Sequence, residues 1–119
     1  MAGADLEKAN LTEVDLKGAD MRSADLEKAD LSGAVLDDAD LRGADLKRAQ
    51  LSQAQLRGVN LDRADLERAN LESADLNGAD FTGADLARAD FRDAMLRGAD
   101  FERADLTRAI FDGSDLKDA

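Results

Sequence analysis

Apolar residues recur along this chain with a period of five. From Leu6 to Leu116 every fifth residue is Leu, Met or Phe, and two positions before each stands a small residue: Ala in nearly every repeat, Val at Val14 and Val59, Ser at Ser114. The chain is therefore one unit, Ala-Asp-Leu-x-x, written 23 times in register. An α-helix cannot use that period. Five residues advance about 140° around the axis, so the Leu column spirals and leaves no apolar stripe, and Asp before Leu opposes helix interiors. A continuous strand fails too, because its side chains alternate with period two and every second Leu would reach the wrong face. The pattern predicts a short extended Ala-Asp-Leu piece, with the first and third side chains inward and the second outward, followed by a two-residue bend. All nine glycines sit at the second residue after the Leu position, where a type II turn needs φ > 0. Repeats with Lys, Arg, Asp, Glu, Gln or Ser there are expected to turn differently, giving a mixture of turn types.

A chain that bends the same way at every repeat winds into a coil, its backbone groups satisfied by the coils above and below. Runs such as Ala24-Asp25-Leu26, Ala64-Asp65-Leu66-Glu67-Arg68-Ala69-Asn70-Leu71 and Ala79-Asp80-Phe81-Thr82-Gly83 resemble the pentapeptide repeat family, and the resemblance covers the whole chain. It implies an all-β fold, a right-handed quadrilateral parallel β-helix (a solenoid) of about six coils of four pentapeptides, in one domain spanning residues 1–119. At about 4.8 Å per coil the rod would be roughly 28 Å long. Residues 20 apart would then stack in four columns, beginning at Leu6, Leu11, Leu16 and Met21. The four Phe would form two vertical pairs in the C-terminal third, as ordinary core.

Composition narrows the functional classes. No apolar run approaches a membrane span and no leader-like segment opens the chain, so the cytoplasm is the default expectation. With no Cys and no His, disulfides and thiolate metal sites are excluded, and no ordinary nucleophile–base pair can be built. Ser23, Ser32, Ser52 and Ser73 have no evident activating partner. Carboxylates are plentiful, but on a convex rod they stay solvated, with no pocket to raise a pKa. An Asp column from Asp5 to Asp105 could hold Ca²⁺ only weakly, and neighbouring Lys and Arg neutralise it. No catalytic residue, cofactor or metal is expected, and the chain reads as a non-enzyme.

Charge singles out one side. The net charge is −11, and the side beginning at Leu11 carries Glu13, Asp30, Glu72, Asp90, Asp93 and Asp112 against Arg92 alone. Direct nucleic-acid binding is not expected without a basic patch. The main reading is a rigid scaffold or protein-interaction module of unidentified partner, with the acid excess keeping the rod soluble. The alternative comes from the resemblance, which includes proteins that mimic duplex DNA and protect gyrase from quinolones; the acidic strip would be its contact surface. A 28 Å rod would need roughly 16 charges to match B-DNA, so the match is partial. Val35, Met95 and Ile110 break the Asp/Asn/Gln habit before the Leu position and form a candidate apolar contact. Repeats starting after Met1 and running flush to Ala119 leave uncapped coil ends, which present unpaired backbone groups and predict end-to-end homodimers. A natural protein and an excised or engineered domain both fit at this point.

Overall fold

The computed structural model describes all residues, Met1–Ala119. Each Asp-position residue forms a parallel bridge to the residue 20 further on, from Asp5 with Asp25 through to Met95 with Asp115. One circuit of the chain therefore takes four repeats. The extended piece is so short that neighbouring coils pair through a single residue at each side. Around that bridge three backbone hydrogen bonds repeat: Leu26 N–H to Asp45 O at 2.7 Å, Lys28 N–H to Lys47 O at 2.9 Å, and Asp45 N–H to Ala24 O at 3.0 Å, with equivalents along the chain. The overall extents are 33 × 25 × 21 Å.

The corners are alike, and here the expected mixture of turns is corrected. In every repeat the small residue donates its N–H to the Leu-position carbonyl three residues back, as Ala29 does to Leu26 at 3.0 Å. The second residue after Leu has positive φ whether or not it is glycine: Arg68 at 61°, Asp93 at 57°, Gly78 at 69°. No other residue has positive φ, which is the type II signature rather than I′ or II′. The reason is collective. Wherever another coil follows, the N–H at that position donates to it, as Arg68 N–H does to Ala87 O at 2.9 Å. A different turn would orphan that donor, so the lattice imposes the left-handed conformation on Arg, Lys and Asp alike.

The interior consists only of the small and Leu-position side chains. From Met21 to Ala99 every one of them is buried, and they form one continuous cluster of 32 residues. The phenylalanines stack as the sequence predicts: Phe81 over Phe101 at 5.0 Å and 4°, Phe91 over Phe111 at 4.9 Å and 3°. The two stacks also meet edge-to-face, Phe81 with Phe91 at 5.8 Å and 89°, the geometry that ring quadrupoles favour. No buried side-chain nitrogen or oxygen lacks a partner.

Candidate functional site

Everything the chain can present to another molecule stands on the outward positions: the residue before Leu and the two turn residues. The residue before Leu does more than face solvent. Its carboxylate or amide oxygen accepts the N–H of the residue two further on, the first of the turn: Asp25 Oδ1 from Glu27 N–H at 3.0 Å, Asn70 Oδ1 from Glu72 N–H at 3.1 Å, Asp105 Oδ1 from Thr107 N–H at 2.9 Å. That N–H points away from the neighbouring coil, and a short polar side chain is the local group able to reach it. The Asp/Asn preference is thus a turn cap in each repeat that carries Asp or Asn before Leu. The outward direction of these residues is legible in the sequence, whereas their capping role is signalled there only by the spacing of Asx to turn.

Val35, Gln50, Gln55, Met95 and Ile110 cannot cap this way, and two of the gaps are filled from the coil before. Asp37 Oδ1 accepts Arg57 N–H at 2.9 Å in place of Gln55, and Asn77 Oδ1 accepts Arg97 N–H at 2.9 Å in place of Met95. The same substitutions redirect the arginines. Where the capping Asp is present, an Arg at the first turn position folds back onto it: Arg22 on Asp20, Arg42 on Asp40, Arg92 on Asp90. Where it is missing, the Arg reaches forward to the next coil: Arg57 Nε to Asp75 Oδ2 and Arg97 Nε to Asp115 Oδ2, both at 2.5 Å. Asp75 is the one buried carboxylate, and Asn77 Nδ2 donates to its other oxygen at 2.8 Å.

The acidic strip lies on one face but is not uniform. Glu13, Asp93 and Asp112 are exposed, while Asp30, Glu72 and Asp90 are partly covered. Arg92 Nη2 ties Asp90 Oδ2 at 2.6 Å and approaches Glu72 Oε2 at 3.5 Å, and the Arg92 hydrogen bonds hold the Asp90 carboxyl below its ordinary value of 3.8. Asp30 is lowered as well, by hydrogen bonds from the Ser32 hydroxyl and N–H. Between the two acidic ends runs a neutral stretch, in which Ser52 Oγ donates to Ser32 Oγ at 3.3 Å and Asn70 Nδ2 to Gln50 Oε1 at 3.1 Å. Among the apolar candidates, Met95 and Ile110 are exposed and Val35 is half-buried. Val35 and Met95 share a face three coils apart, about 14 Å, and Ile110 stands on the neighbouring one. The Asp column from Asp5 to Asp105 is interrupted by Lys47, whose Nζ lies 3.2 Å from Asp45 Oδ2 and 2.7 Å from Asp65 Oδ2. No grouping of three or more acidic side chains has the geometry to hold a metal ion, and no helix is long and apolar enough to cross a membrane.

Comparison with known proteins agrees with this lattice. The family described as Pentapeptide repeats matches in 8 copies, over residues 1–27, 24–63, 49–86 and 84–119. No curated protein sequence is matched. Among solved structures, QnrB1, a plasmid-mediated fluoroquinolone resistance protein, is similar at 23% identity with TM-score 0.62, over 99% of this chain and 70% of that one. HetL, a pentapeptide repeat protein involved in heterocyst differentiation regulation in the cyanobacterium Nostoc sp. strain PCC 7120, is 34% identical over 97% of this chain and 65% of its own, with TM-score 0.46. A pentapeptide repeat protein of the Arabidopsis thaliana thylakoid lumen is 36% identical over 74% of this chain and 65% of its own, also at 0.46. This chain thus spans just under two-thirds of the length of those last two proteins. The QnrB1 likeness is one of fold.

Proposed function

Because the chain belongs to the pentapeptide repeat family, we propose that it is a rigid, non-enzymatic scaffold that binds another protein. In this reading residues 1–119 form a single right-handed quadrilateral β-helix of about six coils. The observation that carries it is the lattice itself. Every corner has one conformation, and the turn N–H is capped in most repeats, so outward side chains are held at fixed spacing and little flexibility remains to be lost on association. Two contact surfaces are proposed: the acidic strip of Glu13, Asp30, Glu72, Asp90, Asp93 and Asp112, and the apolar residues Val35, Met95 and Ile110. Affinity capture with the whole chain and two triple variants, V35D/M95D/I110D and D90N/D93N/D112N, tests this. The expected result is a protein retained by the parent and lost by one of the variants. Retention that ignores both sets of substitutions, or no retained protein, overturns it.

The exposed carboxylates Asp93 and Asp112 favour one second reading, a DNA mimic that binds gyrase. It predicts inhibition of gyrase supercoiling that added DNA relieves and the D90N/D93N/D112N variant weakens; absence of inhibition removes it. The end-to-end homodimer belongs among these proposals too. Light scattering should read twice the chain mass, and a monomer mass rules it out.

A further inference from the structure

A depression indents one corner of the rod. It holds about 380 Å³ and is lined by Arg22, Ser23, Arg42, Gly43, Asp62 and Arg63, with no hydrophobic residue among them. Pockets for drug-sized ligands are mostly apolar, and a lining of three arginines, an aspartate, a serine and a glycine suits a small charged occupant instead. The dip has a simple origin. Along this corner the left-handed turn position reads Ser23, Gly43, Arg63 in successive coils, and the missing side chain at Gly43 lowers the surface between its neighbours. A Cβ at Gly43 would stand 3.7 Å from Ser23 Oγ.

Three guanidinium groups reach this dip from three successive coils. Arg22 is gripped by Asp20 through Nε at 2.8 Å and Nη2 at 2.7 Å, and Arg42 by Asp40 through the same atoms at 2.8 and 2.6 Å. Such a grip uses one edge of a fork that carries five N–H donors, leaving the Nη1 donors of both residues free. It also fixes the two forks in place about 4.8 Å apart, so binding a second anion costs little further side-chain freedom. Arg63 is held only loosely, 3.7 Å from Asp62, and its side chain is 83% exposed. The Ser23 hydroxyl donates to no protein group.

We propose that this depression binds a tetrahedral oxyanion of the phosphate class. Arg22 and Arg42 meet separate oxygens through their free Nη donors, Ser23 donates a third hydrogen bond, and Arg63 swings in from the far side. Three cationic side chains from three successive coils line the depression, enough to meet three separate oxygens, which a tetrahedral ion offers and a carboxylate with two does not. Asp20, Asp40 and Asp62 balance the three guanidiniums, so binding is salt-sensitive and depends on donor geometry rather than on net positive charge.

Two-dimensional NMR titration of the ¹⁵N-labelled chain with inorganic phosphate, O-phosphoserine and acetate, at constant ionic strength, tests the site. Saturating shifts confined to residues 22–23, 42–43 and 62–63, at least tenfold weaker in affinity for the R22Q/R42Q variant, support it. That variant should keep a cooperative urea unfolding transition at a somewhat lower midpoint, because the Arg42–Asp40 and Arg22–Asp20 bonds are lost, and the retained cooperativity separates loss of the site from loss of the fold. A stronger response to O-phosphoserine assigns the site to phosphate monoesters, and an equal one to the free ion. Non-saturating shifts spread over other cations such as Arg88 and Arg108, an unchanged response in R22Q/R42Q, or acetate binding as tightly as phosphate overturns the proposal.

Discussion

At the scale of single residues, the corners hold fifteen non-glycine side chains in the left-handed region, a conformation that costs an ordinary residue about 1–2 kcal/mol. A glycine at the same position avoids that cost, so Gly78→Ala should lose about 1 kcal/mol in urea unfolding even though its Cβ would enter open space. A loss-free variant would mean that the lattice relaxes around the corner. Capping gives a second measurement. Asn77 both caps Arg97 N–H from the coil before and donates to buried Asp75. Asn77→Ala should cost about 1–3 kcal/mol by leaving those groups unsatisfied, whereas Asn77→Asp retains the acceptor and should cost less for the Arg97 cap. This role was not legible from the sequence. Asn77 is an unremarkable turn residue in its own repeat, and only the stacking of residue 77 beneath residue 97 brings its oxygen to the N–H that Met95 leaves open.

At the scale of the coil, the repeat was legible almost entirely. The inward columns at Leu6, Leu11, Leu16 and Met21 and the two Phe pairs follow from a five-residue period once four repeats close a circuit. The number four is not written in the period, and it came from the family resemblance; the bridges 20 residues apart now carry it independently. Turn type is not legible in the sequence, because propensity acts one residue at a time. A corner that would choose another turn in isolation is overruled by an inter-coil hydrogen bond to its N–H. The coil as unit predicts an asymmetry between deletions. Removing residues 41–60 takes out one whole circuit and rejoins Asp40 to Leu61 in the same column, so the circular dichroism spectrum and a cooperative melt should persist. Removing Arg57 alone puts every later residue out of phase with the coil before, and the same melt should broaden or vanish. Equal tolerance of both deletions would contradict stacking in a fixed register.

At the scale of the whole molecule, surface charge couples stability to pH. Asp30, Asp40, Asp90, Asp105 and Asp115 all lie below their ordinary value of 3.8, chiefly through hydrogen bonds from Ser32, Arg42, Arg92, Thr107 and Arg97 respectively. A carboxyl depressed in the folded state adds stability that is complete above its unfolded pKa and is lost as pH falls through the folded one. The melting temperature should therefore hold steady down to about pH 5 and fall progressively below pH 4; a melting temperature that rises on acidification would show that relief of the −11 net charge outweighs these bonds. By itself, the sequence determined what is inside and what is outside, because a strict period of five leaves only one way to bury Ala and Leu together and face Asp outward. The tertiary structure alone decided which outward groups act on one another. The caps given to Arg57 and Arg97, the pairs Lys47–Asp65, Arg57–Asp75 and Arg97–Asp115, and the arginine-lined depression join residues 18 or more apart, and such neighbours exist only once one coil rests on the next.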